Sequence, residues 1–275
     1  MRSAPSRRTF LQTLSLAMPL ATGGPLTSRR SPVSTAIGPD LPPPHTPALF
    51  PTQAPELVQE MVVVAHGNEA RVKELVSRQP SLAKATWDWG FGDWETSLGA
   101  ASHVGHRGIA ELLLANGAHP TIFSAAMLGQ LDTVKAFITA SPGVQRTRGP
   151  HSISLLSHAI AGGPRAQAVV EYLKTIPGAD DKAPVQPLAE ADVARLTGSY
   201  TFGVTPADRI EISAIKMQLQ FGRPGHYARG LFHLGRYEFC PMGAEAVRIR
   251  FAESTGGMTV TVHDPDVVLT ARRPT

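Results

Sequence analysis

WETSLGAASHVGHRGIAELLLANGAHP, residues 94–120, is the stretch whose reading decides the fold. Gly105 divides it into two helical segments. The segment before it carries small side chains, Ala101 among them, and lets a neighbouring unit approach closely. The segment after it is an apolar helix with Ile109, Leu112, Leu113 and Leu114. Asn116-Gly117-Ala118 ends that helix, with Gly117 supplying a left-handed cap that a residue with a Cβ resists. Two helices this short cannot bury their apolar faces alone, so the unit predicts copies stacked beside it.

The copies are there in the same phase. Gly67 is followed by Val72, Leu75 and Val76. Gly129 is preceded by Ala125-Ala126 and followed by Val134, Phe137 and Ile138. Gly163 is preceded by Leu156 and Ala159 and followed by Val169, Val170 and Leu173. The unit resembles an ankyrin repeat. Thr96, Leu98 and Ala101 fill the T, L and A of its T-P-L-H-x-A opening, and Gly105-His106 fills its inter-helix G-H. Ser97 stands where proline is usual, and Gly99 where histidine is. An ankyrin unit is about 33 residues long, whereas the marker glycines are 105 − 67 = 38, 129 − 105 = 24 and 163 − 129 = 34 apart. The resemblance therefore implies an enlarged β-hairpin finger in the first interval and a missing finger in the second.

The enlarged interval contains Trp87-Asp-Trp89-Gly-Phe91-Gly-Asp93-Trp94, which holds all three tryptophans of the chain. The alternation of Trp87 with Trp89, followed by Gly90 and Gly92, predicts a hairpin with a glycine turn. Ankyrin proteins bind partners along their fingers, and tryptophan is enriched at interface hot spots. Trp87, Trp89, Phe91 and Trp94 are thus the expected partner-binding residues. An alternative is that the rings fill the space left by the missing finger. Asp88 and Asp93 are read as polar contacts or turn caps.

Beyond Leu173 the helical period stops. Pro177-Gly178-Ala179-Asp180-Asp181, Pro184 and Pro187 form a connector, and residues 189–196 a short helix. From Gly198 the period is two. Ile210 and Ile212 alternate, as do Met217, Leu219 and Phe221, then Tyr237 and Phe239, then Val247, Ile249 and Phe251, and finally Met258, Val260 and Val262. About seven short strands are expected, making a small antiparallel barrel or sheet. The opening Leu196-Thr-Gly-Ser-Tyr200-Thr-Phe202, with Phe239-Cys-Pro241 and Val247-Arg-Ile-Arg-Phe251, resembles the small lipocalin-like β-domain appended to penicillin-binding-type serine hydrolases. No catalytic role transfers with that resemblance.

The first residues address export. Ser6-Arg7-Arg8-Thr9-Phe10-Leu11-Gln12 resembles the twin-arginine motif, with Gln12 in place of lysine. The apolar run after it, 11–21, is too short and too polar to span a bilayer. The export signal is assigned to Arg7, Arg8, Phe10 and Leu11, with the twin-arginine translocon as partner and a periplasmic or otherwise extracytoplasmic destination. The net charge of +4 includes five arginines and no acid within residues 1–36, so without that segment it is 4 − 5 = −1. Near-neutrality argues against nucleic-acid binding.

The expected fold is α + β in two domains. Residues 1–36 are the signal region and 37–55 a proline-rich linker. Four degenerate repeats follow over 56–176, then a linker over 177–195 and the β-domain over 196–275. Ser81-Leu-Ala-Lys84 matches S-x-x-K, but the S-D-N and K-T-G partners of that chemistry are missing. The ten histidines show no ligand spacing; His106 reads as a turn cap, and His103 with it. Cys240, the lone cysteine, reads as a small buried hydrophobe. No catalytic residue, metal ligand or cofactor is assigned. The expected function is a non-enzymatic scaffold binding an envelope protein through the finger row. The alternative is a small apolar ligand in the β-domain; a hydrolase accessory or an enzyme lacks any supporting constellation. Replacing Arg7 and Arg8 by Lys is expected to hold the precursor in the cytoplasm in cell fractionation, and unchanged export would contradict the signal reading.

Overall fold

Polar side chains set the starts of most helices. Asn68 accepts a hydrogen bond from the Arg71 amide, Thr96 from Gly99, Thr121 from Ser124 and Ser154 from Ser157, each satisfying an otherwise orphaned first-turn donor. His106 does the same with its Nδ1 for the Ile109 amide. The computed structural model describes Leu49 and residues 51–182 and 185–273. The residues read as the export signal, Arg7, Arg8, Phe10 and Leu11, lie outside that description, as does most of the proline-rich stretch.

Eight helices follow one another as four pairs: α1 (Pro55–Val64) with α2 (Glu69–Arg78), α3 (Ser97–His103) with α4 (Arg107–Ala115), α5 (Ile122–Met127) with α6 (Leu131–Ala140), and α7 (Leu155–Ala161) with α8 (Gln167–Lys174). The first helices of consecutive pairs lie against one another. Small residues make that possible: Ala100, Ala101, Ala125, Ala126 and Ala159 are buried in these contacts. At the inter-helix turns Gly105, Gly129 and Gly163 have φ of +76°, +75° and +64°. A Cβ on Gly129 would also run into the Arg165 carbonyl of the neighbouring pair. Gly67, at the matching place in the first pair, is exposed and free of both constraints.

Between α2 and α3 the chain makes the hairpin β1 (Thr86–Asp88) and β2 (Trp94–Thr96), with Asp88 opposite Trp94. No strand lies between α4 and α5, where residues 116–121 suffice to turn the chain. Helix α9 (Glu190–Leu196) then leads into eight antiparallel strands: β3 (Gly198–Thr201), β4 (Arg209–Ile215), β5 (Gln218–Gly222), β6 (Arg229–Gly235), β7 (Glu238–Pro241), β8 (Arg248–Ser254), β9 (Gly257–Asp264) and β10 (Val267–Arg273). They close as a barrel in sequence order, β10 pairing with β3. The fold is thus α + β with a closed eight-stranded barrel, one strand more than the periodicity predicts.

Eight strands enclose a space that side chains can fill. Here Tyr200, Phe239 and Phe251 meet edge to face inside it, with centroids 5.8 and 5.5 Å apart. Leu196 from α9 plugs one end, and its carbonyl accepts the buried Tyr200 hydroxyl at 2.7 Å. Met217 and Tyr237, expected on strands, sit instead in two-residue turns. Lys216-Met217 and Arg236-Tyr237 all have positive φ, and Met217 is exposed. The apolar alternation simply runs on through these tight turns, so period alone does not show where the strands end. Cys240 is buried beside the barrel core.

Among the described residues no helix is long and apolar enough to cross a membrane. Gly129→Ala is expected to cost about 2 kcal/mol or more in urea unfolding, from the left-handed backbone and the displaced carbonyl. Gly67→Ala is expected to stay within about 0.5 kcal/mol; equal effects would contradict this packing.

Candidate functional site

In β2 the usual patterning is inverted: Trp94 faces out at 62% exposure, while Glu95 is fully buried. Asp93, next to it, is 3% exposed. A hairpin that turns two carboxylates inward must meet partners there, because an unpaired buried charge is costly. Those partners come from four other parts of the chain.

Asp93 binds His151 twice. It accepts the His151 amide at 3.0 Å on Oδ1 and the His151 ring Nδ1 at 2.6 Å on Oδ2. It also pairs with Arg229 of β6, itself only 7% exposed, which in turn donates to the Met242 carbonyl. Around Glu95 stand three imidazoles. His66 Nε2 is 3.5 Å away, His103 Nδ1 3.1 Å and His151 Nε2 3.4 Å. The Trp89 indole donates to Glu95 Oε2 at 2.8 Å. His103 stands off line for a hydrogen bond, and both its Nδ1 and Glu95 Oε1 are buried without one.

Local structure holds each group in place. His66 follows α1, and its Nδ1 lies 3.0 Å and 3.1 Å from the Val62 and Val63 carbonyls. His103 ends α3. His151 and Ser152 both adopt left-handed backbone, at φ +58° and +61°. Such a conformation costs roughly 1–3 kcal/mol per residue and persists only where the surroundings enforce it. Asp93 holds the first. The second donates its hydroxyl to Glu245 at 2.6 Å and accepts the Gly243 amide at 2.7 Å. A Cβ on Gly243 would strike the Asp93 carboxylate.

Burial opposes charge on Glu95, yet the imidazoles of His103 and His151 hold its carboxyl down at about 2. Burial also opposes the Asp93 charge, and the His151 and Arg229 contacts outweigh it. Desolvation works against a proton on His151, but hydrogen bonds to Asp93 and Glu95 raise the ring to about 9. Neighbouring His158 goes the other way: burial pushes it down to about 4, against the pull of the Ser154 carbonyl.

Over this cluster lies a cavity of about 470 Å³ walled by His66, Trp89, His151, Tyr227, Arg229 and Met242. The Trp89 and Tyr227 rings meet edge to face, 5.1 Å apart. Of the finger residues expected to bind a partner, Trp87 and Trp89 pack against the helical core, and Trp89 also lines this cavity. Phe91 packs on Phe221 of the barrel at 5.4 Å. Trp94 is exposed. Ser81 and Lys84 are exposed in a short 3-10 helix. The residues that sequence reading left unassigned are His66, Glu95, His151 and Arg229, with His103 read as a cap. The usable signal was the pair of acids, Asp93 and Glu95, at i and i+2 in a finger rich in aromatics. No family pattern and no curated protein sequence matches the chain.

Asp93→Ala leaves the Arg229 charge buried and unpaired and His151 with Glu95 alone, and is expected to cost about 3–5 kcal/mol in urea unfolding. Arg78→Ala, which breaks an exposed pair with Glu74, is expected to cost under about 1 kcal/mol. His158 takes up its proton at about 4 when folded and at 6.5 otherwise. The unfolded chain therefore binds more protons between these values, and stability falls as pH drops from 6.5 toward 4. His158→Gln is expected to remove that part of the slope in unfolding midpoints at pH 7 and 5; an unchanged slope would contradict the assignment.

Proposed function

We propose that the chain is a binding protein, built of four ankyrin-type helix pairs, an aromatic finger and a lipocalin-like barrel, that holds a small-molecule ligand between the finger and the barrel rim. The observation that carries this is the cavity of about 470 Å³ between the finger and β6. Its size falls in the range of about 300–1,000 Å³ usual for ligand sites, and its mix of aromatic walls with a few fixed polar groups is the usual composition. The filled barrel interior turns the ligand reading away from the barrel lumen and toward its rim. The four glycine-phased helix pairs support the ankyrin-type reading, and the inward charged floor supports a ligand with polar as well as apolar parts. Export by the twin-arginine route remains part of the proposal, on the strength of Arg7 and Arg8.

A second reading, a scaffold for an envelope protein, is favoured by Trp94, a large exposed ring on the outer side of the finger. Trp87, Trp89 and Phe91 are engaged within the chain, so this reading rests on Trp94.

One experiment separates the two. The mature protein is incubated with envelope and metabolite extracts, washed, and its retained molecules identified by mass spectrometry. The wild type and Trp94→Ala are expected to retain a compound of a few hundred daltons that Tyr227→Lys, which blocks an exposed wall of the cavity, does not. Retention of nothing, or equal retention by the blocked variant, would contradict ligand binding. A stoichiometric protein partner lost only from Trp94→Ala would favour the scaffold.

A further inference from the structure

The geometry points to a divalent transition-metal site formed by His66, Glu95, His103 and His151, at the floor of the cavity. It needs only these four side chains and so does not depend on the ligand reading. Each offers one ligand atom, and these atoms all lie within 4.8 Å of one another; among the described residues no other such group occurs.

The distances fit an ion. At bond lengths of about 2.0–2.2 Å to nitrogen and oxygen, tetrahedral coordination places ligand atoms about 3.3–3.6 Å apart. His66 Nε2 and His151 Nε2 stand 3.5 and 3.4 Å from Glu95 Oε2, and His103 Nδ1 3.1 Å from Oε1; the remaining separations, all within 4.8 Å, close as an ion draws its ligands in.

The proton positions leave a place for positive charge. Carbonyl oxygens only accept, so His66 Nδ1, which faces two of them, carries the proton. In the neutral ring its Nε2 is then a lone pair aimed at a carboxylate oxygen, two acceptors facing each other. His103 Nδ1 and Glu95 Oε1 stand 3.1 Å apart, both buried and with no hydrogen-bond partner on either. The Glu95 side chain is 0% exposed and that of His103 10%, so water does not resolve the conflict. A proton on His151 serves one Glu95 contact and leaves the other two imidazoles unserved. A single cation among them serves all four.

The outer contacts match those that orient metal ligands. Such histidines give their other ring N–H to a carboxylate or a backbone carbonyl. His151 gives its Nδ1–H to Asp93, and His66 its own to the α1 carbonyls. Trp89 fixes Glu95. Imidazole and carboxylate together suit zinc and its first-row neighbours, while calcium and magnesium prefer oxygen alone. Two of the ligands, His66 and His151, also line the cavity, so a bound ion presents one side to it.

The test uses the untagged full chain, stripped with chelator and dialysed. Zinc is titrated by calorimetry and cobalt by visible absorption, and the zinc edge is examined by X-ray absorption. One ion per chain is expected, with the d–d bands of a four-coordinate cobalt centre and scattering from three imidazoles. His66→Ala, at a partly exposed position, is expected to melt near the wild type and to bind about 100-fold more weakly or worse, since even outer contacts are worth 10–100-fold. Absence of stoichiometric binding by the folded wild type would overturn the inference. So would unchanged affinity in His66→Ala. Should that variant unfold, the wild-type spectrum decides alone: fewer than two imidazoles at the zinc overturns the site.

Discussion

The carboxylate of Asp93 is the constraint on which the rest of the structure depends. It leaves the finger, enters a space almost closed to water, and takes one partner from the helical side and one from the barrel: His151 by ring and amide, Arg229 by its guanidinium. A buried carboxylate in this position is tolerable only while both partners are present. Much nearby follows from keeping them there. His151 and Ser152 accept a left-handed backbone to reach it. Gly243 carries no side chain because the carboxylate occupies the space a Cβ would take. The loop holding Arg148 and Ser152 is tied through both to Glu245, in the barrel turn between β7 and β8. Residues 49–275 are accordingly one compact unit, whereas the sequence organisation implies two bodies on a linker.

The finger follows from the same requirement. Its turn, residues 90–92, has three successive positive φ angles, +112°, +60° and +78°. Glycines at the first and last of these make the turn accessible, and it swings Phe91 onto Phe221 of the barrel. Trp89 is drawn over Glu95 and donates its indole proton. The aromatic residues thus wall a cavity whose floor is charged. Apolar walls raise the strength of every electrostatic contact on that floor, which suits a site that must hold polar groups, or an ion, in a fixed geometry.

Much of the architecture was legible in the chain. The glycines at 105, 129 and 163 marked real turns because all three have left-handed backbone, and at 105 and 129 close stacking also leaves no room for a Cβ. The long interval from Gly67 to Gly105 located the hairpin, and period-two runs located most barrel strands. The site was not legible, for two physical reasons. Its members, at 66, 93, 95, 103, 151 and 229, have no common period, since the helix stack and the barrel closure bring them together only in three dimensions. Local patterning also misleads at β2: an apolar-in, polar-out alternation would bury Trp94 and expose Glu95, and tertiary pairing reverses both. His106 is the instructive contrast. Its role as a cap is local, so sequence found it. His103, three residues earlier, turns inward, and no local rule separates the two.

If Asp93 and its partners join helices and barrel as described, the two parts melt together. Differential scanning calorimetry of the protein lacking its first 48 residues tests that most directly. The account predicts a single transition whose calorimetric and van't Hoff enthalpies agree within error. Two resolved transitions, or a calorimetric enthalpy well above the van't Hoff value, would show that the helical stack and the barrel unfold independently, and would contradict a site built from both.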